Sequence, residues 1–475
     1  MSTLSSVLST ARLAISAHQT AVQTSAHNIA NAETEGYTRQ RVQLTANYPQ
    51  ITPWGALGTG VLAKDVTRVR DGLLDSTYRR DTSNAAGFGM RRDLMTQIEG
   101  VYGEPSETGL ATTLDAFFSG WSDLANNPTS AAAKGVVRQR GAQLGGLMND
   151  MANKLDVLAT STRARVSDAA GQMTQIGGQI AELNRQIVTA ESGGTQAPDL
   201  RDQRDQLIDQ LASLAPVNVV EHANGSSAIY VGTATLVDGS EAKTVEMRLS
   251  GGQTELAVQG SPDRLRVGGA VGAMLDVVNV QIPQQSQKLD ALAQGIVSSV
   301  NAMHRTGWTA AGDAAGAANW DPLAGPTGSN VDFFAATGVT ARTISLSAQV
   351  KADVGFVAAG NVQNGTGNNA LALGLANMRA DKTTMLQFGS TTTRTTFADY
   401  YRDAVTGVGL DVQSADSSAT VYETLADQSA TRRSAVSGVS TDEEMTQLMR
   451  HQQAYAAAAK VVNVVDEMMD TLLSL

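Results

Sequence analysis

Few side chains in this sequence stand at the spacings that chemistry needs. The five histidines, His18, His27, His222, His304 and His451, are scattered along 475 residues. None forms a His-Glu-x-x-His pair, which would place two imidazoles on one helical face to share an ion. His18 and His27 fall on a helical segment, where a packed or solvated role is expected rather than a ligand role. Asp199-Leu200-Arg201-Asp202-Gln203-Arg204-Asp205 offers carboxylates. On a helix it reads as a solvated face, with Arg201 and Asp205 one turn apart and contributing about 0.3 kcal/mol. Glu443-Glu444 could serve as an acid/base pair but is better explained as helix-start chemistry. Thr441 at the N-cap with Glu444 three residues later makes a capping box. Gly365-Thr366-Gly367 lacks the third glycine and the preceding strand of a dinucleotide loop, and no phosphate-binding Gly-x-x-x-x-Gly-Lys-Ser/Thr occurs. Asn224-Gly225-Ser226 and Asn364-Gly365-Thr366 fit glycosylation acceptors, although the first already reads as a turn. Gly312-Asp313 with Asp321 hints at a calcium loop without the EF-hand spacing. No Ser/His/Asp constellation can be built. The expectation is a non-enzyme with no catalytic, cofactor-binding or metal-ligating residues.

What the sequence does carry is a matched pair of apolar stripes at its ends. Leu8, Ile15, Val22 and Ile29 recur every seven residues, flanked by Leu4, Val7, Ala11, Ala14 and Ala21. Leu448, Tyr455, Val462 and Met469 recur at the same spacing, with Ala458, Val465 and Leu472 beside them. Such a repeat keeps one seam of an α-helix facing a partner turn after turn. The stripes predict two helices that pair in space or jointly enter an assembly. Any bundle buries one helix face, but placement at both extreme termini, where most domains fray, points to assembly. The expected assembly interface is Leu4, Leu8, Ile15, Val22, Ile29, Leu448, Tyr455, Val462, Val465, Met469 and Leu472.

Composition bounds the rest. The length allows two to four domains and a substantial core. With aromatics at only 4%, the core should be helix on helix, packed through small and aliphatic residues. A net charge of −11, with no basic run longer than Arg79-Arg80 or Arg432-Arg433, argues against nucleic acid. The absence of cysteine removes thiolate chemistry and disulfides, and suits a chain threaded unfolded through a secretion channel. Residues 1–10 carry no positive n-region, so no cleaved signal peptide is expected, and no stretch is apolar enough to span a bilayer.

Along the chain, periodicity predicts a first helix from about Thr3 to Ala30, stopped by Asn31 and Gly36. Extended pieces follow at Val42 to Leu44 and Val61 to Val69, and helical period resumes near Gly72. Between Val137 and Val188, apolar residues step by threes and fours. This predicts one helix on the order of 75 Å, or two in line bent at Gly177-Gly178. Gly193-Gly194 and Pro198 end it. A second helix then uses Leu200, Leu207, Leu211 and Leu214, with its charges on the other face. Strands are expected at 217–220, 228–231 and 244–249, with hairpin signals at Asn224-Gly225 and Asp238-Gly239. Helix returns over Val271 to Met303, punctuated by Pro283. Residues 305–370 should be irregular, with short strands near Ile344 to Leu346. Helix restarts at Phe397, breaks at Gly438, and resumes after the Thr441 capping box.

The run Asn28-Ile29-Ala30-Asn31-Ala32-Glu33-Thr34-Glu35-Gly36-Tyr37-Thr38-Arg39-Gln40 resembles the amino-terminal motif of the bacterial flagellar rod, hook and hook-associated axial proteins. That pattern reads Asn-Ile-Ala-Asn, two residues, Thr-Pro-Gly-Tyr. Glu35 stands where proline is usual, while Asn28, Asn31, Gly36, Tyr37, Arg39 and Gln40 carry the match. The Tyr-Thr-Arg-Gln ending is more like the hook-associated branch. Asp199 to Leu207 is similar to that branch's Leu-x-Asp-Gln-Arg-Asp-x-Leu segment. Val300-Asn301 with His304 and Gly307 resembles its Asn-x-x-His-x-x-Gly stretch. Ser437 to Glu444, followed by Leu448, Gln452-Gln453 and Tyr455, looks like its carboxyl-terminal signature.

The resemblance implies a secreted structural subunit of the extracellular flagellum at the hook–filament junction. It implies self-assembly, contact with the hook protein and with a second hook-associated junction protein, and export through the flagellar type III apparatus. It also implies a cytoplasmic export chaperone on the C-terminal segment. In the family the terminal helices form an inner tube, a helical domain surrounds it, and β-rich domains face outward. The expected fold is mainly α: a long helical bundle and coiled coil from discontinuous N- and C-terminal segments, with a small inserted β-rich domain. Residues 1–35 with 440–475 would be the terminal coiled coil. Residues 36–215 with 272–439 would be the helical core, and 216–271 the β-rich outer domain. The alternatives are another axial protein, the hook protein or the second hook-associated junction protein, or a secreted carbohydrate-binding or hydrolase protein using the β insert and the 305–370 loops.

Overall fold

The computed structural model describes residues 2–52, 55–309, 320–321, 325–326, 328–363, 365, 367–388 and 391–473. Helix α1 (Ser2–Ala30) ends where Asn31 and Ala32 turn back on the last carbonyls and Gly36 takes φ +77°. The chain returns along α1 as a ribbon. Strands β1 (Gln40–Ala46) and β4 (Val61–Arg68) pair antiparallel from Gln40↔Arg68 to Ala46↔Val61. Between them lies a small hairpin, β2 (Gln50–Thr52) and β3 (Gly55–Leu57), which the sequence reading did not include. Gly60 sits so close to Thr10 that a Cβ there would lie 3.2 Å from the Thr10 Cγ2, which seats the ribbon on α1.

The helical body follows: α2 (Gly72–Tyr102), α3 (Leu110–Asn126), α4 (Ala131–Glu191) and α5 (Pro198–Leu214). Asp71 caps α2 by accepting from the Leu73 and Leu74 amides. Helix α4 is one unbroken element of 61 residues, about 90 Å long. Gly177-Gly178 does not divide it. Gly177 is small because a sheet rests there: an added Cβ would lie 3.3 Å from Leu236 Cγ.

The insert forms two small antiparallel sheets. One is the meander β5 (Val217–Glu221), β6 (Ser227–Val231), β7 (Ala234–Asp238) and β8 (Glu241–Ala242). The other joins β9 (Val245–Ser250), β10 (Gln253–Val258) and β11 (Arg264–Leu265). Asn224-Gly225 and Asp238-Gly239 occupy turns between strands, with both glycines at positive φ. Helix α6 (Gly269–Asp276) runs through a π-turn, Val277–Gln281, into α7 (Ile282–His304). The wide turn immediately precedes Pro283, the second residue of α7, and it is there that the continuous helix accommodates a residue with no N–H to donate.

After α7 come the short pair β12 (Trp320–Asp321) and β13 (Gly325–Pro326), then α8 (Ala348–Ala352) and α9 (Ala370–Asn377). The strand expected at Ile344 to Leu346 is only an isolated bridge, Phe334↔Leu346. Gly312 and Asp313 of the calcium-loop reading, and Asn364 and Thr366 of the glycine-loop and glycosylation readings, lie outside the described residues. A hairpin of β14 (Met385–Phe388) and β15 (Thr391–Arg394) precedes α10 (Phe397–Ser437) and the terminal α11 (Thr441–Leu473).

The core is less aliphatic than composition suggested. Phe117 and Trp121 of α3 form edge and tilted contacts with Phe333, Phe334 and His304, while Phe118 sits edge-on to Phe117 and stacks on Phe397. The Asn-x-x-His-x-x-Gly stretch ties this knot together. Asn301 accepts from the Phe333 and Phe334 amides and donates to the Phe334 carbonyl. His304 Nδ1 donates to the Val331 carbonyl, and its Nε2 accepts from the Ala358 amide. Gly307 leaves no room for a side chain beside Ala358 and Leu371. The helices and strands of the expected fold class are present.

Candidate assembly site

Helices α1 and α11 pack antiparallel, so the two ends of the chain do meet: Asn28 faces Glu444, and His18 faces His451 further along. The seam between them is not the large apolar stripe. Its buried α1 residues are Ala11, Ala17, Ala21, Ser25 and Asn28, and its α11 line is Glu444, His451, Ala458 and Val465, spaced by seven. Small residues bring the backbones close, and the heptad period survives on an adjacent face. The expected interface residues divide accordingly. Val465 is buried. Leu4, Ile15, Val22, Ile29, Leu448 and Val462 are half-buried. Leu8, Tyr455 and Met469 remain 36%, 40% and 42% exposed, joined by Met445, Met449, Val461, Val464 and Met468. The Leu472 side chain lies outside the described residues.

The pair is anchored to the body through the amino-terminal motif. Asn28, 1% exposed, uses all four of its hydrogen-bonding positions. Its Nδ2 donates to the Gln40 carbonyl (2.9 Å) and to Glu444 Oε2 (3.0 Å). Its Oδ1 accepts from the Tyr37 hydroxyl (2.7 Å) and the Gln40 amide (3.0 Å). Arg39 spans to α11 by donating to Glu444 Oε1 at 2.7 Å and Glu443 Oε2 at 2.9 Å, while its amide donates to the Ser437 carbonyl. Gln40 Nε2 reaches Asp199 at 2.7 Å. Asn31 donates to the His27 carbonyl, and His27 stacks on Tyr37 at 5.5 Å. Gly36 lies against Gln206, whose amide bonds the Glu35 carbonyl. Burial, with Asp199, Asp202 and Glu444 nearby, pushes the Tyr37 phenol well above its ordinary pKa, so it stays a donor.

The N-cap of α11 is Ser440, whose Oγ accepts from the Glu443 amide, rather than Thr441. Glu444 does not reach back to a cap. It is pulled inward by Asn28 and Arg39, because a buried carboxylate needs a cation and donors more than an exposed cap needs a partner.

The charged face of α5 is not solvated. Asp202, Asp205 and Asp209 stand at i, i+3 and i+7, one face of the helix, and that face meets four arginines. Arg68 donates to Asp202 (2.8 Å) and Asp205 (2.6 Å), and Arg70 to Asp205 and bidentately to Asp75 (2.8 Å each). Arg79 donates to Asp209 (2.6 Å) and Asp205 (3.1 Å). Arg433 of α10 closes the lattice on Asp209 (2.7 Å) and Asp75 (3.0 Å), with its guanidinium 4.6 Å from the centre of the Tyr78 ring. Burial pushes the Asp205 carboxyl up, but Arg70, Arg68, Arg79 and Arg204 outweigh it and hold the group below the usual carboxylate range. Asp202 moves the other way: burial dominates, and Arg68 with the Thr38 amide only partly compensates. The difference follows from geometry, since Asp205 bonds three guanidinium groups and Asp202 bonds one, with Arg70 at 3.9 Å. Arg201 and Asp205 do not pair as expected. Arg201 turns to Glu191, and Arg204, fully buried, turns to Asn184, the Gly225 carbonyl and Glu221.

The ion-pair residues that the sequence does not single out are therefore Arg68, Arg70, Asp75, Arg79, Asp209 and Arg433. Two of them, Arg79 and Arg433, belong to the basic pairs noted only for their shortness. The i, i+3, i+7 carboxylate spacing was the available signal.

A helical body with inserted sheets, gripped by a motif that locks the first and last helices together, is the arrangement of a flagellar axial protein. Residues 433–475 match the family described as the flagellar basal body rod FlgEFG protein C-terminal, and residues 95–318 match the flagellar hook-associated protein FlgK helical domain. The chain belongs to the flagellar hook-associated protein 1 family. It is 28% identical over 513 residues to flagellar hook-associated protein 1 of Bacillus subtilis, covering 98% of this chain and 97% of that one. The Salmonella typhimurium hook-associated protein 1 is 24% identical over 556 residues, covering 99% and 100%. The flagellar hook junction protein FlgK from Burkholderia pseudomallei has the same fold, with a TM-score of 0.63 at 16% identity, over 76% of this chain and all of that one.

Proposed function

We propose that this chain is a non-enzymatic structural subunit of the bacterial flagellum that joins hook to filament, extending outside the cell after type III export without a cleaved signal. Residues 1–35 with 440–475 act as the assembling coiled coil, 36–215 with 272–439 as the surrounding helical core, and 216–271 as the outward β-rich part. The partners are further copies of the chain, the hook protein, a second hook-associated junction protein, and a cytoplasmic export chaperone on the C-terminal segment.

The observation that carries this reading is the apolar surface left uncovered on α11. Met445, Met449, Tyr455, Val461, Val464, Met468 and Met469, spread around the sides of the helix not turned to α1, are each at least 40% exposed. So much exposed apolar surface on a helix already paired along one line needs further partners to cover it. Met449→Lys with Tyr455→Lys tests it. The purified double variant should match the parent's stability within about 0.5 kcal/mol, as surface changes do. Cells carrying it should complete hooks, shed flagellin and fail to swim. Normal filaments on normal hooks would overturn the assembly role of this surface.

A further inference from the structure

His18 and His451 meet across the seam of the terminal helix pair. Their Nδ1 atoms are 3.3 Å apart, their ring centroids 5.6 Å apart, and their planes inclined by 36°. That separation is long for a hydrogen bond between neutral rings, where N–H donors sit about 2.9–3.0 Å from their acceptors. It equals one edge of a tetrahedral site. Two nitrogens each about 2.0–2.1 Å from an ion, at a tetrahedral angle, lie about 3.3–3.4 Å apart. Both rings are half-buried, so each has one fixed side and one side open to water. The neighbouring seam residues Ala17 and Ala21, buried, and Ala458, half-buried, are too small to fill the approach.

We infer that His18 and His451 form a two-imidazole clip for a late first-row divalent cation, which holds the two ends of the chain together. Imidazole nitrogen selects ions such as zinc, nickel and copper, whereas magnesium and calcium take oxygen ligands. Among the described residues no group of three or more histidines and carboxylates could hold a metal, so water completes the coordination. The ligands are 433 residues apart in sequence. An ion bound by both therefore binds only the paired state and stabilises it by mass action. The clip depends on the α1–α11 pairing and not on where the subunit sits in the flagellum.

The test uses the full-length monomer with zinc chloride, and magnesium chloride as control. Calorimetry should give one zinc per chain and no magnesium signal. Hydrogen exchange at residues 12–24 and 445–457 should slow with zinc. His18→Ala and His451→Ala should each abolish both responses, while His222→Ala keeps them. Exchange without metal, compared between parent and His18→Ala, shows whether the pair still forms, so lost binding is not mistaken for lost structure. No zinc binding by the parent, or zinc binding that survives both His18→Ala and His451→Ala, overturns the clip. Terminal exchange that stays unchanged while zinc binds would overturn the tie between the ends.

Discussion

Asn28 and Glu444 are 416 residues apart in sequence and 3.0 Å apart in space, and that one contact fixes the first helix to the last. Both side chains are buried: Asn28 is satisfied from both ends of the chain, and Glu444 accepts from Asn28 and Arg39 of the amino-terminal end. Asn28→Leu strips four hydrogen bonds and leaves the Gln40 amide and part of Glu444 unpaired. The terminal pair should lose about 2–4 kcal/mol, since each buried orphan costs about 1–3. Hydrogen exchange should quicken over 2–30 and 441–473 while α3 and α4 stay protected. Uniform protection in the variant would contradict this.

Asp205 holds three arginines. Asp205→Asn keeps the shape and removes the charge, leaving Arg68, Arg70 and Arg79 under-neutralised in a buried setting. A loss of about 3–5 kcal/mol is expected from urea denaturation at pH 7. The folded carboxyl titrates below its unfolded value, so its contribution is present above about pH 3.8 and fades as pH falls further. The penalty of the variant should therefore shrink below pH 4.

His304 gives the adjoining pH range, just above that of Asp205, its own signature. Complete burial lowers its pKa to about 4, and the ring is held neutral between the Val331 carbonyl and the Ala358 amide. The unfolded chain takes the proton near pH 6.5. Stability from this group is full above that pH and is lost as pH falls toward 4. The loss between pH 7.5 and 4.5 should be roughly 2–3 kcal/mol. His304→Asn should be less stable at pH 7.5 but show a flatter decline over that interval, measured by urea midpoints.

Gly307 sits where a methyl group would lie 2.6 Å from both Ala358 Cβ and Leu371 Cδ2. Ala358 is fixed by its backbone, so the overlap cannot be relieved by rotating a side chain. Gly307→Ala should cost about 1–3 kcal/mol of stability, as overpacking does. A thermal melt unchanged within error would show that the loop shifts freely, against the staple formed by Asn301 and His304.

Local rules decided much of this protein. Helix limits, the stop at Gly36, the hairpin turns at Asn224-Gly225 and Asp238-Gly239 and the long α4 all follow from periodicity and from residues that tolerate positive φ. The pairing of the ends was also written into the heptads of α1 and α11. Which face of each helix pairs within the chain was not, because Ala11, Ala21 and Ala458 give weak apolar signals yet permit the closest approach. The large stripe lies beside that seam instead.

The fate of charge belonged wholly to the tertiary structure. Asp202 and Asp205 read as solvated when only their own helix is considered, since pairs one turn apart interact weakly in water. They are buried because Arg68, Arg70, Arg79 and Arg433 arrive from β4, the segment before α2, α2 and α10, and a carboxylate leaves water only where cations converge. Periodicity can place a residue on a face; only the partners brought by the fold decide whether that face meets water.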